Sequence, residues 1–136
     1  MECYPVETIE YRGFNIEIYV DETPLHPRKE WDNLGTLYAS HRRYNLCDED
    51  IDIDDSECAS WEDVYNEIVK RYNPAVIIPV YMYDHSGIII RASEGNPFSC
   101  RWDSGQIGFV FVSKEKVQKE WEVKRISAKL KEKITK

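Results

Sequence analysis

The chain of 136 residues carries 18 lysines and arginines against 25 aspartates and glutamates, a formal net charge of −7, and is 42% hydrophobic. Its length supports one core, so a single domain over 1–136 is expected, and its composition excludes a mainly disordered chain. The longest apolar run, Ala75 to Tyr83, is too short to cross a bilayer and contains Pro79, which excludes a membrane span.

Thr8 to Tyr11 and Phe14 to Val20 flank Arg12-Gly13, which reads as a two-residue hairpin turn. Phe14, Ile16, Ile18 and Val20 alternate with Asn15, Glu17 and Tyr19, predicting a half-buried strand. Pro24 and Pro27 impose an irregular loop, and Leu34 to Ser40 reads as a third strand leading into His41-Arg42-Arg43-Tyr44. From Cys47 to Asp63 there are nine acids and no lysine or arginine, so the stretch 47–59 is expected to be an exposed acidic loop.

Ser60, with Asp63 three residues on, reads as a helix cap. Trp61, Val64, Tyr65, Ile68, Val69 and Tyr72 then form one apolar stripe, and Asn73-Pro74 ends the helix. Val76 to Tyr83 and Gly87 to Ala92 are β-rich runs joined across Asp84-His85-Ser86-Gly87, and Ile107 to Val112 is a last strand. Ser113 caps a basic helix expected over 114–134, packed at its start and fraying toward Lys136, with apolar positions Val117, Trp121, Ile126, Leu130 and Ile134. Lys114 to Lys136 holds nine bases against four acids, which leaves the rest of the chain at −12. The expected class is α+β: an antiparallel β-sheet with one helix packed on it and a C-terminal basic helix.

Cys3, Cys47, Cys58 and Cys100 form no CxxC pair. No basic-then-apolar leader opens the sequence, so a cytosolic location with reduced thiols is expected. His41 at a strand end, His85 in a hairpin turn and Cys100 in the loop Phe98 to Gly105 have the donor types of tetrahedral zinc. Gathered around one ion, they would cross-link distant segments of a small core. A carboxylate would complete the shell. Asp103, Asp48 and Asp84 are nearest in sequence, Asp103 heading that set, and Cys47 is a further contender.

Asp52, Asp54, Ser56 and Asp63 fall at calcium-loop positions, but Glu57 stands where an EF-hand needs glycine. Ser86, Ser99 and Ser104 lie in no nucleophile elbow, and no glycine-rich phosphate loop is present. An enzyme reading falls back on a small metal- or thiol-dependent hydrolase using His85, His41 and Cys100. Trp31, Tyr44, Trp102 and Trp121 lie beside loops or helix ends, where aromatics can anchor a protein contact.

The runs Trp31 to Leu37, His41 to Leu46, Tyr81 to Gly87 and Phe98 to Gln106 resemble motifs in small proteins of phages and mobile elements of Gram-positive bacteria. The likeness spans roughly Asp21 to Lys116, and Cys47 stands where that pattern commonly has glycine. Within that likeness the chain itself resembles a type II-A anti-CRISPR protein, an inhibitor of Cas9 that holds zinc. The resemblance implies a phage-encoded inhibitor, active in the cytoplasm of the infected host, that binds a nucleic-acid-handling defence enzyme, Cas9 above all. It implies a structural zinc and no catalysis. Cas9 keeps its heteroduplex and displaced strand in basic channels. An acidic protein can be steered onto such a surface and block DNA loading without binding DNA itself. Asp48, Glu49, Asp50, Asp52, Asp54, Asp55 and Glu57 are the expected partner-binding residues. A metal-free phage interaction module is the remaining alternative.

Overall fold

The computed structural model describes residues 3–48, 51, 53 and 55–136. Tertiary contacts divide the chain into two compact units, Met1–Asp32 and Asn33–Lys136. In the first, β1 (Glu7–Tyr11) pairs antiparallel with β2 (Phe14–Ile18). Arg12 and Gly13 between them take φ of 49° and 82°, the left-handed pair that a tight hairpin turn requires. Opposing Ile9 with Ile16 and Tyr11 with Phe14 gathers five apolar side chains, with Ile18, on one face. Thr8, Glu10, Asn15 and Glu17 share the other. The alternation is as expected, but the half-burial is not: every residue of both strands is exposed, Phe14 at 74%. A two-stranded ribbon has no second layer of its own to cover an apolar side.

The second unit is built on a four-stranded antiparallel sheet in the order β3-β6-β4-β5. The strands are β3 (Thr36–Ala39), β4 (Pro74–Asp84), β5 (Ile88–Ala92) and β6 (Ser104–Ser113). Helix α1 (Trp61–Tyr72) precedes β4 with only Asn73 between them. Ser60 Oγ accepts from Asp63 N at 3.4 Å, so the expected cap is in place. At the other end Asn73 takes φ 45° and its N–H returns to the Val69 carbonyl at 3.2 Å. Pro74, which cannot continue the helix, then begins the strand.

One face of the sheet receives α1. Val64 and Ile68 pack on Tyr38, Phe109 and Phe111, and Trp61 and Tyr65 meet the Phe109 ring edge-on at 6.1 and 5.9 Å. Ile68 is fully buried. Gly108 allows β3 to come this close to β6: a Cβ there would lie 1.8 Å from the Tyr38 carbonyl oxygen. Beyond it, the register between β4 and β6 skips Ile107. That bulge sends Ile107 away from Phe109 and into the opposite face, beside Val80 and Met82.

On β5, Ser93 N donates to the Pro79 carbonyl at 3.0 Å. The odd-numbered positions of β5 therefore bond toward β4, and the backbone groups of Ile88, Ile90 and Ala92 point outward. All five residues of this edge strand are exposed.

The helix expected over 114–134 is two helices, α2 (Lys114–Glu120) and α3 (Ala128–Thr135). The apolar positions are four apart within each half, but Trp121 and Ile126 are five apart. At about 100° per residue that extra step throws the second stripe roughly 140° round from the first, so one straight helix cannot bury both. The chain resolves this by stopping. Glu122 takes φ 51° and Val123 N bonds back to the Gln118 carbonyl at 3.0 Å, a Schellman-type closure. Ser127 Oγ then caps the first turn of α3 by accepting from Leu130 N at 3.1 Å. Nor does the tail fray: Ile126, Leu130 and Ile134 pack with Trp121 against Ala75, Val112 and Val117. Among the described residues no helix is long and apolar enough to cross a membrane.

Candidate functional site at the ends of β4 and β6

After β3 the segment 40–46 turns across the face opposite α1, and Cys47 then packs on the α1 side. Tyr44 and Leu46 sink onto Val80, Met82 and Ile107, and Arg43 just before them reaches Asp84 at the end of β4. His41 Nδ1 accepts from Arg43 N at 3.1 Å and its ring stacks on Tyr44 at 5.2 Å. The Arg43 guanidinium lies 5.8 Å from the Tyr44 ring and pairs with Asp84 at 2.5 Å. Between this segment and the strand ends lies a cleft of about 280 Å³ bordered by His41, Arg42, Arg43, Asp84, Trp102 and Asp103.

The far wall is a pinned turn. Asp84 N donates to the Asp103 carbonyl at 2.8 Å, tying the end of β4 to the start of β6. Asp103 Oδ2 receives His85 Nδ1 at 3.1 Å and the Cys100 thiol at 3.7 Å. Ser104 Oγ donates to the Cys100 carbonyl and accepts from Asn96 Nδ2 at 3.0 Å. Phe98 stacks on Tyr83 at 5.5 Å, and the Arg91 guanidinium lies over the Phe98 ring at 5.9 Å. Trp102 projects from this braced loop almost wholly into solvent, 98% exposed.

Of the four expected metal ligands, His85, Cys100 and Asp103 therefore meet, with the carboxylate at the centre. His41 borders the same cleft as Asp103 but is engaged with its own turn and with Tyr44. Among the described residues, no three His, Cys, Asp or Glu side chains are arranged as a preassembled metal group. The donors pair with one another. The same geometry bears on the hydrolase reading, because His85 Nδ1 addresses Asp103 rather than the thiol, and a base must reach the proton it removes.

The acidic segment is less loop-like than its charge implies. Asp48 Oδ2 accepts from Leu37 N at 2.9 Å while Asp48 N donates to the Leu37 carbonyl at 2.9 Å. Asp48 thus occupies the outer edge of β3, half-buried. Asp55 and Glu57 lie in a short 3₁₀ turn, Asp55–Glu57, with Glu57 exposed. Glu49, Asp50, Asp52 and Asp54 lie outside the described residues. Ile51 and Ile53, set between acids, pack with Cys47 and Cys58 against the core under α1. The alternation Asp50-Ile51-Asp52-Ile53-Asp54 carries that anchoring signal, and the density of charge hides it. Arg42 and Arg43 are the cleft residues that sequence reasoning missed. Their signal is an arginine pair at a strand end within an otherwise acidic body.

Comparisons with family models, with curated proteins and with solved structures find no match for this chain.

Proposed function

We propose that the protein works by contact rather than by chemistry, as an inhibitor that seats on the basic nucleic-acid-binding surface of a host defence enzyme and blocks DNA loading. Cas9 is the enzyme to which the sequence resemblance points. The observation that carries this reading is the charge layout. Nine of the 18 bases are gathered in residues 114–136, and the remainder of the chain stands at −12. Such a body is drawn to a basic channel and repelled by free DNA. The solvent-exposed Trp102 on its braced loop supplies the kind of aromatic anchor that dominates protein contacts.

Structural zinc belongs to the same reading. From zinc–sulfur bonds of about 2.3 Å and zinc–oxygen or –nitrogen bonds of about 2.0 Å, a tetrahedral site has edges of roughly 3.3–3.5 Å. The His85–Asp103 and Cys100–Asp103 separations, 3.1 and 3.7 Å, lie within a few tenths of that. His85, Cys100 and Asp103 would hold the ion, with His41 the nearest imidazole across the cleft. Bound there, zinc would tie β4, the 95–103 loop and the 41–46 segment together and do no chemistry.

The test is gel filtration of the untagged protein with guide-loaded Cas9, followed by target-DNA binding and elemental analysis of the complex. A comigrating complex that no longer binds DNA is expected. The variant Asp50→Asn/Asp52→Asn/Asp54→Asn/Asp55→Asn should associate about ten-fold more slowly at low salt, with the difference shrinking as salt is raised. Absence of a complex removes Cas9 as the target, and a sample free of transition metal removes the zinc.

A further inference from the structure

We infer that the cleft between the 41–46 segment and the ends of β4 and β6 is a binding site for a mononucleotide, its base lying on Trp102 and its phosphate against Arg42. This goes beyond the inhibitor reading and does not depend on it.

Arg42 and Arg43, an arginine pair in an otherwise acidic stretch of the chain, border the cleft together with His41. The cleft's two acids are already engaged. Asp84 is held by Arg43, and Asp103 receives both His85 and Cys100. Arg42 is exposed and has no ionic or hydrogen-bonding partner among the described residues. A guanidinium left free above a cleft is a fork for phosphate oxygens. Arg43 beside it is paired with Asp84 and lies near the Tyr44 ring, so Arg42 supplies the unpaired positive charge of the cleft.

Trp102 provides the second half of the site. A tryptophan 98% exposed buries nothing in the fold. Yet its loop is fastened on both sides, through Asp103 to Asp84 and through Ser104 to Cys100. Ordering an exposed ring on a rigid frame prepares a stacking platform, and every base presents a face to it. The volume, about 280 Å³, sits at the small end of ligand clefts and suits one nucleotide rather than several. Residues 33–113, which carry the cleft, have 13 acids against six bases, and that charge disfavours a longer phosphate chain relative to a free mononucleotide.

The test is calorimetric titration of the full chain with AMP, with adenosine, with ribose 5-phosphate, with a 5′-phosphorylated DNA decamer and with an acidic heptapeptide. AMP should bind, and adenosine and ribose 5-phosphate should each bind at least ten-fold more weakly, because each lacks one half of the recognition. Trp102→Ala and Arg42→Ala should each weaken AMP by about ten-fold or more, in line with stacking and charge-assisted contacts. Both residues are exposed, so unchanged thermal unfolding of each variant is expected and identifies the loss as one of binding. No AMP binding at millimolar concentration, or binding untouched by both variants, overturns the proposal. So does a decamer or a peptide that binds ten-fold more tightly than AMP, either of which would assign the cleft to a macromolecule. None of these outcomes bears on complex formation with Cas9, which gel filtration reads separately.

Discussion

At the level of single residues, two positions show how narrowly the geometry is drawn. Gly108 has no side chain because Tyr38 leaves no room for one, with the Tyr38 carbonyl carbon 2.8 Å and the Ala39 Cα 2.9 Å from where a Cβ would sit. These are backbone atoms, so relief requires β3 to move off β6. Gly108→Ala should cost about 3 kcal/mol or more in urea unfolding, the range of severe overpacking. It should also loosen the 41–46 segment that β3 carries. Tyr19 offers a gentler test. Its hydroxyl donates to Glu17 Oε2 at 2.7 Å. That bond, aided by desolvation and the carboxylate charge, holds the tyrosine pKa above its ordinary value. A raised folded pKa means the bond contributes fully below the unfolded value near 10 and is lost as pH climbs through the folded one. Phenolate absorbance should show one late-titrating tyrosine that moves down in Glu17→Gln and disappears in Tyr19→Phe.

Among the elements, what could be read from sequence is what local chemistry decides. α1 was legible because its cap, stripe and Asn73-Pro74 stop all agree, and the strands were legible from β-branched runs between turn residues. The break between α2 and α3 was written in the five-residue step from Trp121 to Ile126, but capped ends dominate such a reading unless the phase of the stripe is counted. Glu122 carries the cost of the break, a non-glycine residue at φ 51°. Glu122→Gly should stabilise the protein by about 0.5–1 kcal/mol, and Glu122→Val should destabilise it, both measured by thermal unfolding. The candidate site was legible only in part. His85, Cys100 and Asp103 could be listed by donor type, yet their meeting depends on the β4–β6 register and on the Asp84–Asp103 backbone bond. Those are long-range facts that no local pattern encodes. Asp48's place was hidden for the complementary reason, since its charge points to the surface while Leu37 N at the edge of β3 takes it as an acceptor.

Across the whole molecule, the buried residues divide unevenly. Every buried hydrophobic side chain among the described positions lies at Tyr38 or beyond, in three clusters that all belong to the second unit. A fragment spanning 33–136 should therefore unfold in a single cooperative urea transition close to that of the full chain. A broad, featureless titration would show that the first 32 residues are required for folding.

The two sides of the four-stranded sheet are finished differently, and this limits how copies of it can join. Beside β3, Asp48 has taken both outward groups of Leu37. Beside β5, the backbone groups of Ile88, Ile90 and Ala92 point away from β4 and have no strand partner among the described residues. A strand added beside β3 would have to displace Asp48 from Leu37, whereas one added beside β5 would displace no such contact, so edge-to-edge joining of two sheets is favoured through β5.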